Sequence, residues 1–348
     1  MQTIIKKTDQ NCIDQSVIME AAELIRAGAL VAFPTETVYG LGANALDEKA
    51  AAKIYAAKGR PSDNPLIIHI ADIESLGLIT EEIPEAAVKL ADKFWPGPLT
   101  MVLKKSEIVP YGPTGGLNTV AVRMPSHKIA LELIRSSGGY IAAPSANTSG
   151  RPSPTLAEHV ADDMKGIIPM IIDGGAVGIG IESTIVDLTE GVPTILRPGF
   201  ITKEMLEAVV GEVQIDKGLS ADAKVPPKAP GMKYRHYAPK AELIIVEGTS
   251  ETVVAKINAL TKENIQKGIC TGIIGTEETV SRYPMGIVKS IGTRSDELSI
   301  SSHLYGILRE FDESDAQIIY SESFEEGAMG SAIMNRLLKA AGHKVICV

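Results

Sequence analysis

Short apolar runs rich in β-branched residues alternate along this chain with longer segments whose apolar positions recur every three or four residues, a pattern that few folds other than α/β layers accommodate. Ala29–Phe33 and Leu66–Ile70 read as buried strands. Each follows a helical pattern. In the first, over 14–28, Asp14 can cap a stripe of Val17, Ile18, Ala21, Ala22, Leu24 and Ile25 that Gly28 ends; the second, over 47–57, is capped by Asp47 and closed near Gly59. Further strands are expected at Leu99–Leu103, Thr119–Val122, Tyr140–Ala143, Met170–Ile172, Thr184–Leu188 and Thr194–Leu196, with helices near 85–94, 127–136, 155–164 and 203–210. Several strands follow one another with no helix between them, so the sheet should be mixed rather than purely parallel.

The 348 residues exceed the roughly 250–300 at which one core stops growing, so two domains are expected. Periodicity fades over 211–240, where Val225-Pro226-Pro227-Lys228-Ala229-Pro230-Gly231 breaks helix and strand alike. The expected organisation is therefore a first domain over 1–210, a basic, proline-rich linker over 211–240 and a smaller α/β domain over 241–348. In that smaller domain strand-like Leu243–Val246, Gly272–Ile274, Gly286–Lys289 and Gln317–Tyr320 alternate with helices near 251–266, 297–311 and 327–341.

Several classes are set aside by composition. No run approaches the ~18 apolar residues of a membrane span, and the first fifteen residues lack a signal-type apolar core, so the cytoplasm is the expected location. Cys12, Cys270 and Cys347 are too few and too scattered for a disulfide framework or a cysteine-built zinc site. The net charge of −9 disfavours a protein that lives by coating nucleic acid. Locally the balance reverses: no acid stands between Asp222 and Glu242, whereas Lys224, Lys228, Lys233, Arg235 and Lys240 do.

Three loops carry chemistry. Pro34-Thr35-Glu36-Thr37-Val38-Tyr39-Gly40-Leu41-Gly42 leaves a buried strand, where ligands of α/β sheets collect, and its two glycines would let backbone approach a ligand. Gly40-x-Gly42-x-x-Ala45 satisfies the loose dinucleotide fingerprint, but six residues separate it from the strand it should follow at once. Lys58-Gly59-Arg60-Pro61-Ser62-Asp63-Asn64-Pro65-Leu66 sets two cations one residue apart in a proline-stiffened loop, suited to a polyphosphate or else to the negative end of the preceding helix. Ala142-Ala143-Pro144-Ser145-Ala146-Asn147-Thr148-Ser149-Gly150-Arg151-Pro152-Ser153-Pro154 is free of acids and dense in small donors, as a loop around phosphate and ribose oxygens would be. Thr119 with Arg123, Glu182-Ser183-Thr184, Arg197-Pro198-Gly199 and Tyr234-Arg235-His236-Tyr237 add polar groups at strand ends and in the linker. No Walker-type phosphate loop occurs.

PTETVYGLG, KGRPSDNPL and PSAN in this order, followed by APGMKYRHYAP at 229–239, resemble the YrdC-like family in its longer, two-domain form. The resemblance spans nearly the whole chain. It implies a twisted mixed sheet flanked by helices with a large positive cleft, and a smaller Rossmann-like C-terminal domain. The implied enzyme is a nucleotidyltransferase that joins L-threonine, bicarbonate and ATP, with Mg²⁺ on the phosphates, into threonylcarbamoyl-adenylate and pyrophosphate. A separate transferase complex would then place the threonylcarbamoyl group on the tRNA adenosine next to the anticodon. By matching motif, Thr37, His69, Arg123, Ala143 and Ser183 would hold threonine, with Arg123 on its carboxylate. Lys58, Arg60, Asn64, Thr119, Ser145, Asn147, Ser153, Arg197 and Tyr237 would hold the nucleotide, with Lys58 and Arg60 catalytic. The linker would close over the cleft as a lid, and Gly59 should loosen the loop between the two cations.

The chemistry asks for position and charge more than for a strong base, because carbamates revert in water and the attack on the α-phosphorus is in line. No convincing general base is visible. Two rivals stay open: a double-stranded-RNA-binding module, which predicts strongly salt-dependent RNA affinity without ATP consumption and which the acidic total disfavours, leaving weak RNA binding as a partner expectation, and a hydrogenase-maturation carbamoyl carrier, which would need paired-cysteine zinc motifs that three scattered cysteines cannot build.

Overall fold

A computed structural model describes residues 1–216, 237–324 and 327–348. These fall into two units. The first takes the described residues up to 216 except two short segments, Gly150–Ser153 and Ile179–Ile181, which belong with the residues from 237 onward.

The first unit runs β1 (Ile4–Lys7), α1 (Gln15–Arg26), β2 (Val31–Phe33), β3 (Gly40–Asn44), α2 (Glu48–Lys58), β4 (Ile67–His69), α3 (Leu76–Ile79), α4 (Glu85–Phe94), β5 (Leu99–Lys104) and α5 (Tyr111–Thr114). It continues with β6 (Thr119–Arg123), α6 (Lys128–Ser136), β7 (Ile141–Ala143), α7 (Ala157–Met164), β8 (Met170–Asp173), β9 (Thr184–Asp187), β10 (Thr194–Arg197), α8 (Lys203–Val210) and β11 (Gln214–Ile215). The strands form one sheet in the order β1-β8-β2-β3-β7-β4-β6-β5-β9-β10-β11. It is mixed, as expected: β4 and β6 pair parallel, while β3 with β7 and β5 with β6 pair antiparallel.

Helix α1 begins where Asp14 accepts the Ser16 amide and buries Val17, Ile18, Ala21, Ala22 and Ile25. This stripe meets Ile129, Ala130, Leu133 and Ile134 of α6 over Phe33, Ile141 and Ala143 of the sheet. Each such buried aliphatic side chain stabilises the fold by about 1.5–3 kcal/mol before entropy is counted. Farther along the same face, Ile67, Val102, Ala121, Ile185 and Leu196 form a separate apolar cluster that contains no helical residue. Thr119, Ala121 and Arg123 alternate with Val120 and Val122 along β6, so Arg123 rises from the same face as this cluster.

Two readings of glycines change. Gly40 and Gly42 lie inside β3, not in a ligand loop, and a Cβ on Gly42 would stand 2.8 Å from the Phe33 ring and 2.9 Å from Ile141. These glycines admit Phe33 against the sheet; since Gly40–Asn44 is itself a strand, the dinucleotide fingerprint has no loop to occupy. Gly59 caps α2 in the left-handed conformation, φ 61°, with its N–H on the Tyr55 and Ala56 carbonyls, so it fixes the helix end instead of loosening it. The stretch 211–240 contains β11, and its basic part through residue 236, with the proposed lid, lies outside the described residues.

The second unit contains β12 (Glu242–Glu247), α9 (Ser250–Gln266), β13 (Thr271–Gly275), a 3₁₀ turn (Val280–Arg282), β14 (Ile287–Ser290), α10 (Glu297–Asp312), β15 (Ile318–Glu322), α11 (Gly330–Ala341) and β16 (Val345–Cys347). Its strands are all parallel, in the order β14-β13-β15-β12-β16, the layered α/β arrangement expected for a Rossmann-like unit. The segment 150–153 is held here by Arg309, which donates to the Pro152 carbonyl at 2.6 Å.

Gly42→Ala should destabilise the first unit by about 1–3 kcal/mol, because the added methyl overlaps Phe33 and Ile141 in a packed layer. Urea unfolding of the variant measures this, and an unchanged midpoint would refute the packing role.

Candidate active site

Four strand-flanking stretches of the first unit bring the expected residues into small polar groups on neighbouring strands. The turn between β2 and β3 is shaped by Thr35, whose hydroxyl accepts the Thr37 amide at 3.1 Å and donates to the Val38 carbonyl at 2.7 Å. This turn presents Thr37 to Arg123: Nη1 of Arg123 donates to Oγ1 of Thr37 at 2.8 Å, and Nε to the Gly97 carbonyl at 3.3 Å. Nη2 of the same guanidinium lies 2.7 Å from Oε1 of Glu36, an ion pair. Tyr39 does not join them. Its hydroxyl donates to the Gly175 carbonyl at 2.6 Å, and burial pushes its ionisation up.

Parallel register places His69 of β4 beside Arg123 of β6, with Ile141 of β7 on its other side. The His69 ring meets Phe33 edge-on at 6.3 Å. Its Nδ1 is 3.1 Å from the Ile67 carbonyl oxygen, which can only accept, so Nδ1 carries the hydrogen. Burial first, and then the charge of Arg123, lower its pKa to about 3. The imidazole is therefore neutral at physiological pH and able to orient a polar group without adding charge. Ala143 ends β7, and its methyl group lies 3.4 Å from where Gly40 would carry a Cβ.

The second group centres on Lys58, the last residue of α2 and only 2% exposed. Its ammonium donates to the Ser145 carbonyl at 2.6 Å and to the Asn147 carbonyl, while its own carbonyl accepts the Ser149 amide at 2.8 Å. The alternative role for Lys58, neutralising its own helix end, thus gives way to tying α2 to the Ser145–Asn147 loop. That loop is also bound to β3, by Ala146 N–H to the Tyr39 carbonyl at 2.8 Å and Leu41 N–H to the Pro144 carbonyl at 2.9 Å. Ser145 donates to Oδ1 of Asn147 at 2.5 Å. Arg60 is half-buried and curls back on its own loop, with Nε on the Asn64 carbonyl at 3.3 Å and Nη2 on that of Pro65 at 3.0 Å. Asn64 is buried, and its Oδ1 has no protein partner.

The third group joins Ser183, ahead of β9, to Arg197 at the end of β10. Arg197 donates through Nε to the Ser183 carbonyl at 3.0 Å and through Nη2 to its hydroxyl at 3.1 Å, and that hydroxyl also meets Thr100 at 2.8 Å. The next residue, Thr184, donates its amide to the Pro98 carbonyl at 3.0 Å, next to the Gly97 carbonyl that Arg123 uses, and its hydroxyl to the Ile201 carbonyl at 2.7 Å. Thr119 opens β6 at the opposite end from Arg123 and is half-buried. Ser153 and Tyr237 belong to the second unit, where Ser153 is buried and the Tyr237 ring lies 5.0 Å from that of Tyr305.

Sequence reasoning assigned no role to Glu36 or Thr100. Glu36 stands in the quoted motif, but its partner lies on another strand, and only the register reveals the pair. The arrangement as a whole offers buried guanidinium and ammonium groups, neutral imidazole and hydroxyls. Such a set binds anions and orients them without supplying a strong base. Among the described residues no three His, Cys, Asp or Glu side chains group as metal ligands, and no helix is long and apolar enough to cross a membrane.

Comparisons with known proteins place the chain among its relatives. The family model described as telomere recombination matches residues 23–199, and that described as the C-terminal domain of threonylcarbamoyl-AMP synthase matches residues 201–342. A threonylcarbamoyl-AMP synthase of Pyrococcus abyssi is 53% identical over 336 residues, covering 97% of each chain. One of Bacillus subtilis is 52% identical over 340 residues, again with 97% of each covered. A crystal structure of P. abyssi Sua5 complexed with L-threonine superposes with a TM-score of 0.94 at 51% identity, covering 99% of both chains.

His69 also makes a pH prediction. The folded chain keeps this imidazole neutral down to about pH 3, whereas unfolded histidine takes up a proton below about 6.5, so its stabilising contribution is present above 6.5 and is lost as pH falls through that window. In urea unfolding between pH 7 and 4.5, wild type should lose stability more steeply than His69→Asn; parallel curves would contradict the buried neutral imidazole.

Proposed function

The chain belongs to the Sua5/YrdC family, and from that premise we propose that its first unit condenses L-threonine, bicarbonate or carbon dioxide, and ATP into threonylcarbamoyl-AMP and pyrophosphate. The observation that carries this reading is the pair of almost fully buried cations, Arg123 and Lys58, each held at loops of one sheet among hydroxyls and amides. Substrate anions would complete such sites.

In this reading the threonine carboxylate lies on Arg123, with Thr37, His69, Ala143 and Ser183 shaping its surroundings. Once its ammonium proton has left to solvent, the amine adds to carbon dioxide, or to bicarbonate with loss of water, and the resulting carbamate oxygen attacks the α-phosphorus of ATP in line with departing pyrophosphate. Lys58, Arg60 and Arg197 offset the charge that grows on the phosphoryl oxygens and the leaving group, with Asn64, Thr119, Ser145 and Asn147 as neutral contacts to the nucleotide. Mg²⁺ is proposed to arrive on the triphosphate as part of that substrate. The adenylate would then hand its threonylcarbamoyl group, through a separate transferase complex in the cytoplasm, to the tRNA adenosine beside the anticodon.

Incubation of the full chain with ATP, L-threonine and bicarbonate should release pyrophosphate and give an adenylate of the expected mass; persistence of both signals without threonine would overturn the reading. Arg60→Ala should lower turnover by about 10²-fold with a smaller change in stability than Lys58→Ala, since it is half-buried where Lys58 is buried. Lys58→Ala should lower it at least as far and also loosen the Ser145–Asn147 loop, because a buried ammonium with carbonyl partners is removed. Initial rates and thermal melts of both variants separate these outcomes, and near-normal turnover in both would take the cations out of the mechanism.

A further inference from the structure

Free threonine is a zwitterion. Arg123 answers its carboxylate, but no residue placed so far answers its ammonium. The polar atoms left unsatisfied in the first unit point to one. Nη2 of Arg123 and Oε1 of Glu36 face each other as an ion pair, while Oε2 of Glu36 and Nδ1 of His127 are buried without an aligned hydrogen-bond partner. Unsatisfied buried polar atoms are rare in folded proteins, and two of them beside one ion pair mark a place that a ligand completes.

Glu36 is the carboxylate of this group. It lies 2.7 Å from Arg123, and its field reaches both His69 and His127. Burial raises its carboxyl, yet the adjacent guanidinium and nearby backbone amides more than offset that and keep it ionised. Burial also holds the His127 imidazole below its ordinary value. The ion pair thus sets one guanidinium against one carboxylate, with neutral imidazoles and hydroxyls around them and the Arg197 guanidinium beyond the Ser183 hydroxyl. A paired cation and anion are what the two charged ends of a zwitterion require. Of the two, Glu36 is the more accessible, its side chain 13% exposed against 4% for Arg123.

We propose that Glu36 is the counter-ion of the substrate's ammonium group, so that the Arg123–Glu36 pair opens to take L-threonine with carboxylate on guanidinium and ammonium on carboxylate. Desolvating a zwitterion is tolerable only when both charges find partners, and the pair supplies both without leaving an unbalanced charge in either state. The proposal rests on the reading above that threonine is the substrate of this pocket.

The test is calorimetric titration of the full chain, wild type and Glu36→Gln, with L-threonine and with 3-hydroxybutyrate, which keeps the carboxylate and hydroxyl and lacks the amine. Wild type should prefer threonine by about tenfold or more, the scale of one charge-assisted contact. In Glu36→Gln that preference should collapse to within about threefold, most of the loss falling on threonine. Equal weakening of both ligands, with the preference intact, would show that Glu36 only positions Arg123 and would overturn the proposal. If thermal melting shows that Glu36→Gln does not fold, Glu36→Asp carries the same test: the shortened carboxylate should weaken threonine selectively, and equal weakening would again overturn it. Failure of wild type to bind threonine at all, with or without ATP, would instead overturn the substrate reading itself.

Discussion

A buried positive charge must be answered, and Arg123 is the charge around which this pocket is organised. Its guanidinium is 4% exposed, on the sheet face that carries the strand-only apolar cluster of Ile67, Val102, Ala121, Ile185 and Leu196. In such surroundings an unpaired guanidinium would cost several kcal/mol, so each nitrogen faces an oxygen: Gly97 through Nε, Thr37 through Nη1 and Glu36 through Nη2. Those three contacts tie together the loop before β5, the turn after β2 and the end of β6. The same charge helps to keep His69 neutral. A neutral imidazole and an ionised carboxylate, side by side, therefore follow from one arginine.

Lys58 repeats the device at the end of α2. As the terminal residue of α2 its ammonium could have stayed in water, but it is drawn between the carbonyls of Ser145 and Asn147. The result is a cation that is already positioned and already desolvated, and whose field is not screened by solvent as a surface lysine's would be. Arg197 is placed in the same way, by the Ser183 carbonyl and hydroxyl. Catalysis by such groups needs no strong base, because the electrostatic work is done by charges that do not have to reorganise during the reaction. An acidic chain can thus carry an anion-binding site, since what matters is where the few buried cations stand.

Much of the fold was legible because its longer elements obey simple periods. Asp14 and Asp47 cap α1 and α2 as their positions predict, and the β-branched runs at β4, β6 and β9 are strands. Strand β3 was not legible: Gly40–Asn44 has no alternation and two glycines, so it reads as a ligand loop until Phe33 is seen to fill the space above it. Strand β1 lies at the sheet edge with Ile4 and Ile5 exposed, which erases the inward pattern that marks a strand. The site residues could be picked out by type, as cations and small donors beside strand ends. Their partnerships could not, because Arg123 finds Glu36 and Lys58 finds Asn147 only through strand register and sheet order, which no local pattern encodes.

The central claim is that a pre-placed guanidinium fork receives the amino-acid carboxylate. Threonine affinity in Arg123→Lys tests it most directly, because lysine keeps the charge while losing the planar, two-pronged geometry. Calorimetry on the full chain should show at least about a tenfold loss of threonine affinity in the variant, the scale expected for a charge-assisted hydrogen bond. Equal affinity in the two proteins would mean that the carboxylate binds elsewhere and would contradict the account.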